Sequence, residues 1–569
     1  MQSRGETSAL AEVNTTPTPR ESKRETTRIS GAEWRWVLAT SAVILFLASL
    51  PYLAGSLAQS AQHIFFGAVF DRMDFSVHLG NIWLGLRGEW QFHFLNTSDP
   101  HPAGYVKVFY LVVGHLARLL HLSPLVAFHL ARLGCGLAAL VAVYRLAALC
   151  LRPLAHRRTM FLLFALGSGW GWAQLLTGWI PQADLSPIDF WHIDGYGFFS
   201  LLTFPHIAAA YALVTVAAMA GVRLLEEGRL RHGIVAGGVV LALQLVQPFA
   251  PAIVDAALIG YVLLGWVTVR RLGVRRVLSL AALGLLQLPL LAYQQWFFGS
   301  HPVWRNFVEQ NVTLSPPPLY YLLGYGILAP LAVWGGWLAI RRPSWPFPHL
   351  AVAWVTTSFV MTYLPLPLQR RFTETVMVPI ALLATVGLGY GLLPWVRRRA
   401  RLIGSRWTGE VWRGARRSVA ALTIGLASLS SLYLSLGGAL LAASRSPDLF
   451  DPAAVVAGVD WLGGHSDWRT PVFAAERTGN ILVGRVGHTV YLGHVIETAD
   501  YERKTATVAA FFNEGMSQAD RLTLLHSCGC HYVFYGPFER ALGNWNPAQA
   551  DFLQPAFSLE DVVVFRVNP

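Results

Sequence analysis

The chain has 569 residues, 54% of them hydrophobic and only 13% charged, with a formal net charge of +12. A soluble globular protein carries about 25% charged residues, so the composition excludes a soluble enzyme. The positive excess does not point to nucleic acid either. The arginines are dispersed through short gaps between apolar segments, where cytoplasmic retention of basic loops and anionic lipid account for them.

Residues 1–33 are polar, with Arg20, Lys23, Arg24 and Arg28 towards their end. They read as a disordered cytoplasmic tail, since no apolar core follows early enough for a signal peptide. Eleven apolar segments then recur, each long enough for a hydrocarbon core of about 30 Å. They are 34–57, 124–150, 159–180, 206–224, 232–249, 251–269, 277–297, 319–340, 348–366, 375–396 and 418–443. Arginines fill every second gap, as at Arg152/Arg157/Arg158, Arg229/Arg231, Arg270–Arg276, Arg341/Arg342 and Arg397–Arg417. Basic gaps stay in the cytoplasm, which predicts an inner or plasma membrane protein with its N-terminus inside and C-terminus outside. The segment Tyr105–Leu122 is helical in pattern but carries Lys107, His115, Arg118 and His121. Counting it as a span would invert every later assignment, so it is expected to lie on the outer membrane surface with its long basic side chains snorkelling, a half-membrane helix being the alternative. The chain holds only three lysines, a skew that suggests a GC-rich bacterial genome.

After Ala443 the composition changes, and from Arg445 to Pro569 fourteen Asp and Glu face nine Lys and Arg. Strand-like runs at Pro471–Ala475, Thr489–Leu492, Tyr532–Tyr535 and Val562–Val567 alternate with helical patterns at Ala453–Leu462, Tyr501–Phe512 and Ser517–His526. The alternation predicts a small, largely parallel α/β sheet outside the membrane. Cys528 and Cys530 are spaced too closely for an ordinary disulfide and lack companion ligands for zinc. The predicted fold class is an all-α polytopic membrane protein of about eleven transmembrane helices (34–443) with a long first outer loop over 58–123. An extracytoplasmic α/β domain (444–569) follows.

The chemistry-bearing residues lie in the outer loops. Asp71 and Asp74 share a face of one helical turn just past the first span. Asp99 follows in a Pro-flanked turn. Carboxylates gathered near apolar surface serve as a general base with a raised pKa or as oxygen ligands for a divalent cation, Mg2+ or Mn2+. As solvated residues at a helix end they would do neither. Gln369, Arg370 and Arg371 close an apolar segment on the outer side, against the positive-inside trend. Arginine grips phosphate bidentately, and a polyprenyl phosphate presents its head group at that depth. Lys107 and Arg305 are weaker candidates for that role. Asp189, Trp191, His192, Asp194 and Tyr196 make a polar–aromatic loop suited to a sugar. Asp255, near Gln244 and Gln247 in sequence, reads as a buried hydrogen-bonded carboxylate within a span.

The stretch His101-Pro102-Ala103-Gly104-Tyr105, then Leu120-His121-Leu122-Ser123 and Ala131-Arg132-Leu133, resembles a run in the GT-C superfamily of polytopic glycosyltransferases, which includes protein mannosyltransferases and aminoarabinose transferases. That family's run reads His-Pro-Pro-Leu-Tyr, Phe-Gly-Val-Ser and Ala-Arg-Leu. Its members use an essential carboxylate in the first outer loop and a sugar donor linked to polyprenyl phosphate. By position Asp71 or Asp74 matches the base, and Asp99 a second acidic position. The chain departs from the pattern in having Asp-x-x-Asp where adjacent carboxylates are usual, and Ala103 where a second proline is common. The resemblance implies an inverting membrane glycosyltransferase. It would move a sugar from a polyprenyl-phosphate donor to a glycan, lipid or protein acceptor, with Asp71 or Asp74 as base and Arg370 and Arg371 on the phosphate. The competing readings are a flippase for lipid-linked glycans, which should show charges within the spans, and a non-catalytic scaffold.

Overall fold

The computed structural model describes residues 29–180, 186–269, 273–342, 345–402 and 409–568. Most of the predicted tail lies outside the described residues. Its last residues do not continue as tail: Ser30 caps a helix over Gly31–Leu47, and Glu33 is buried against Tyr144 and Arg157 (2.6 and 3.0 Å).

The chain is an all-α polytopic membrane protein with a small C-terminal sheet region. Six helices are long and apolar enough to cross a membrane, or up to nine if each bent pair forms one span. Two further predicted spans are 17-residue helices, Leu230–Val246 and Pro346–Thr362. The 319–340 segment does not form one straight span. Gly326 (φ 48°, ψ −127°) breaks it into Pro318–Tyr325 and Leu328–Ile340, which meet at 92°. Polar side chains within the spans pair with each other: Gln287 donates to Asp255 (3.2 Å) and Gln244 to Gln294 (3.3 Å).

One end of the bundle carries the long first loop, which folds as two packed helices, Arg72–Arg87 and Val108–Leu120. The second covers most of the predicted surface segment and, at 13 residues, is too short to cross. The two helices approach backbone to backbone through glycine. A Cβ on Gly85 would sit 2.1 Å from the Leu111 carbonyl oxygen, and one on Gly114 would sit 2.2 Å from that of Ile82. Gly114→Val is expected to cost about 1–3 kcal/mol or more by overpacking, read as a lowered midpoint of thermal unfolding in detergent.

The C-terminal part is bolted onto the same end. Strand β1 (His63–Phe65) pairs antiparallel with β2 (Phe450–Pro452), and Arg72 bridges to Asp451 at 2.5 Å. Arg87 donates to the carbonyls of Gly487 and Val486 (2.6 and 2.7 Å). Phe92, Phe94, Leu95, Leu111 and Trp304 of the loops share one hydrophobic core with Val455, Leu482 and Val564.

The sheet is mixed, not largely parallel. Its order is β3 (Val472–Phe473), β4 (Tyr532–Tyr535), β6 (Val562–Val567), β5 (Leu553–Leu559), and only β3 and β4 run parallel. A tight turn at Glu560 (φ 51°) folds β5 onto β6 as a hairpin, which forces antiparallel pairing. The Thr489–Leu492 run contributes a single bridge to Val472. Cys528 and Cys530 are joined as a disulfide, their Cα atoms 5.3 Å apart and so within bonding range despite the short spacing.

Candidate active site

Asp71 is the N-cap of helix Arg72–Arg87 and holds a left-handed backbone (φ 47°, ψ 63°). Its carboxylate accepts the Asp74 N–H at 3.3 Å, so the two acids share the first helical turn. Left-handed backbone outside glycine carries strain, and such strain gathers at functional sites. Asp71 reaches solvent while protein surrounds it on most sides. That crowding, with the like charge of Asp74 adding to it, pushes the Asp71 carboxyl up to about 7. Asp74 goes the other way. Burial would raise it, but a hydrogen bond from His494 Nε2 (2.9 Å) and the charge of Arg371 outweigh burial and hold it below the usual carboxylate range.

Behind this turn lies an aromatic and histidine wall. His78, one turn along from Asp74, stacks on Tyr110 with ring centroids 4.2 Å apart. The Tyr110 hydroxyl meets His206 Nδ1 at 2.6 Å. Burial, with His206 adding to it, keeps His78 neutral.

Opposite, the loop before helix Met377–Val386 carries Arg370 and Arg371. Arg371 donates to Asp194 at 2.8 Å. Burial alone would raise Asp194, but the charges of Arg371 and Arg370 hold it below the usual carboxylate range. Arg371 also feels Asp74, and Arg370 feels Asp71, so the acidic turn and the arginine pair occupy one electrostatic neighbourhood. Arg370 lies over the Trp191 ring (5.2 Å) and makes no ion pair among the described residues. Glu374 is fully buried, beside the Gln247 side chain. Burial and the Asp194 charge push its carboxyl far up, so Glu374 is neutral.

Several predicted site residues are committed elsewhere. Asp99 accepts from Thr97 (2.5 Å) and from Lys504 of the C-terminal part, and does not join Asp71 and Asp74. Both ring nitrogens of His101 meet backbone, the Phe94 N–H (2.9 Å) and the Asp99 carbonyl (2.7 Å). Lys107 pairs with Glu497 beneath a cluster of phenylalanines. Asp189 is buried and accepts the N–H groups of Gly169 and Gly171 (3.0 and 3.2 Å), which ties loop to bundle. Gln369 braces Ser315 N–H and the Leu364 carbonyl (both 3.0 Å). Arg305 is exposed and caps the Gly299 carbonyl (2.9 Å). His192 does reach the site, with Nε2 at 2.6 Å from the Thr373 hydroxyl, and burial pulls it down to about 4.

Among the described residues no three His, Cys, Asp or Glu side chains converge to hold a metal ion. The predicted cation set of Asp71, Asp74 and Asp99 is therefore not assembled, and Lys504 supplies the positive charge at Asp99 instead.

The sequence reading left out His494, Glu374, Tyr110 and His78. His78 had a signal, being four residues after Asp74 and hence on its helical face. His494 had none, because 420 positions separate it from Asp74.

No protein-family model matches the sequence, and no curated protein does. Solved structures match in fold. The Archaeoglobus fulgidus oligosaccharyltransferase in the apo form is 11% identical, covering 89% of this chain and 70% of that one at TM-score 0.53. ArnT from Cupriavidus metallidurans bound to undecaprenyl phosphate is 12% identical, covering 94% and 98% at TM-score 0.50. The mycobacterial arabinofuranosyltransferase AftD is 14% identical, covering 94% of this chain and 42% of that one at TM-score 0.51. The chain therefore shares its fold with these three proteins.

Proposed function

We propose that this chain is an inverting membrane glycosyltransferase, with Asp71 as general base and a polyprenyl-phosphate-linked sugar as donor. The observation that carries this reading is the convergence of the acidic turn and the Arg370–Arg371 pair at the end of the bundle that bears the C-terminal part. The donor class is further supported by the ArnT neighbour, which binds undecaprenyl phosphate. This end faces the outside of the cell, with the N-terminus in the cytoplasm and residues 444–569 extracytoplasmic.

In the reaction, the acceptor hydroxyl attacks the anomeric carbon as the bond from that carbon to the phosphate oxygen breaks. Asp71 takes the hydroxyl proton, and the phosphate leaves with the electron pair. Arg370, which makes no ion pair among the described residues, meets the departing phosphate. Arg371 stays with Asp194 and adds field. No step is routed through a cation. The acceptor is a glycan, a lipid or a protein hydroxyl.

Protein in liposomes, supplied with a panel of undecaprenyl-phosphate sugars, is expected to release undecaprenyl phosphate from one of them. Movement of the intact lipid between leaflets without release would make the chain a flippase and end this reading. Arg370→Gln should weaken undecaprenyl phosphate binding by about ten- to a hundredfold, since a charge-assisted hydrogen bond contributes about 1.5–3 kcal/mol. Titration of the lipid against thermal stability reads this shift.

A further inference from the structure

We infer that His494 is a positioning residue supplied by the C-terminal part of the chain: its Nε2–H fixes the Asp74 carboxylate beside Asp71, so the site is complete only with that part docked. The inference rests on the transferase reading above and extends it to residues beyond the bundle.

The loop carrying His494 is held from three sides. Its own N–H donates to Asn96 Oδ1 (3.0 Å), and the Thr498 hydroxyl donates to the Asn96 carbonyl (2.8 Å). Gln310 Nε2 donates to the carbonyls of Val495, Ile496 and Thr498 (3.2, 3.1 and 3.0 Å). Asp500 N–H donates to Asn306 Oδ1 (3.0 Å), and Glu497 binds both Asn96 Nδ2 (2.9 Å) and Lys107. Asn96 and Thr97 are buried in this contact, so the Asn96-Thr97-Ser98 triplet serves docking.

The ring itself has one free direction. Ile496 N–H points at Nδ1 (3.2 Å), which makes Nδ1 the acceptor and leaves the hydrogen on Nε2. That hydrogen meets Asp74 Oδ1 at 2.9 Å, and the His494 side chain is only 6% exposed. The other groups acting on Asp74 are Asp71 on its own helix turn, His78 and Arg371, while Glu497 and Lys107 act on His494. Two neighbouring carboxyls left to themselves share a proton. A fixed donor on one of them leaves the other to take the proton from the acceptor.

Dicyclohexylcarbodiimide labels protonated carboxyls, so it tests this without knowledge of the sugar. Full-length protein in detergent is labelled from about pH 5 to about pH 9, and peptide mass spectrometry reads each aspartate. In the wild type Asp71 should label below about pH 7, and Asp74 should stay unlabelled. His494→Ala should make Asp74 reactive and lower kcat with little change in KM. His494→Gln, which keeps an N–H donor, should restore much of the protection. His494→Leu fills the buried space without a donor and replaces the alanine variant if that one fails to fold. Asp74 remaining unlabelled in a folded donor-less variant would overturn the inference. Failure of the transferase reading would look different: no undecaprenyl phosphate would be released from any donor while the labelling pattern at Asp74 still depended on His494.

Discussion

Asp71→Asn is expected to lose donor turnover by about 10²–10⁴-fold, the range a positioned general base contributes, with undecaprenyl phosphate affinity little changed. The amide keeps the helix cap, since Asn is as good an N-cap as Asp and tolerates the left-handed backbone. The proton acceptor alone is lost. Because the Asp71 carboxyl titrates at about 7, wild-type turnover should rise with pH through that value. The sign for stability is opposite. A carboxyl raised from 3.8 in the folded state costs nothing below that value, and its cost grows until pH passes about 7. Asp71→Asn removes the cost, so at pH 8 the inactive variant should unfold at or above the wild-type temperature. A variant that is inactive because it is misfolded would do the reverse. Asp74→Asn removes the like charge from beside Asp71, and any residual turnover should show its acid limb moved to lower pH.

The second large effect is a failure of additivity around Arg371. This guanidinium pairs with Asp194 and also feels Asp74 and Glu374, whose carboxyl burial pushes far up. Glu374→Gln should therefore be nearly silent, within about 1 kcal/mol, because it replaces one neutral group by another. Asp194→Asn removes the charge bound at 2.8 Å, and Glu374 is placed to ionise in its stead. The double variant has no such reserve. It should lose more than either single variant, because the half-buried Arg371 then keeps only the longer-range charge of Asp74. Thermal unfolding in detergent should show the double loss well above the sum of the two single losses. Strict additivity would mean that Glu374 is not coupled to Arg371.

The bundle was legible from sequence because apolar runs and arginine-rich gaps are written locally. Each of the eleven predicted segments corresponds to a helix or a bent helix pair. The break at Gly326 escaped because a single glycine inside an apolar run carries no periodic signal, and its sharp turn is set by the close approach of Gly169. The mixed sheet escaped for a related reason. Strand-like runs alternating with helices fit a parallel crossover, whereas the hairpin at Glu560 is a local turn with no glycine to announce it. In the candidate site, the proximity of Asp71 and Asp74 is legible through helical spacing, and Arg370 and Arg371 stand out by their defiance of the charge pattern. Asp99, His101 and Lys107 stand out in the sequence only by residue type in a suggestive turn. Their actual partners, Lys504, backbone groups and Glu497, come from tertiary contacts that residue type does not encode. His494 and Glu374 joined the site for the same reason, through contacts between segments remote in sequence.

The most direct measurement is a structure of the chain with undecaprenyl phosphate bound. Phosphate oxygens are expected within about 2.7–3.2 Å of the Arg370 guanidinium, on the side of the site that faces Asp71. A phosphate seated instead at the opposite end of the bundle, in the cavity of about 620 Å³ lined by His156, Arg397, Arg398, Arg401 and Arg416, would contradict this placement.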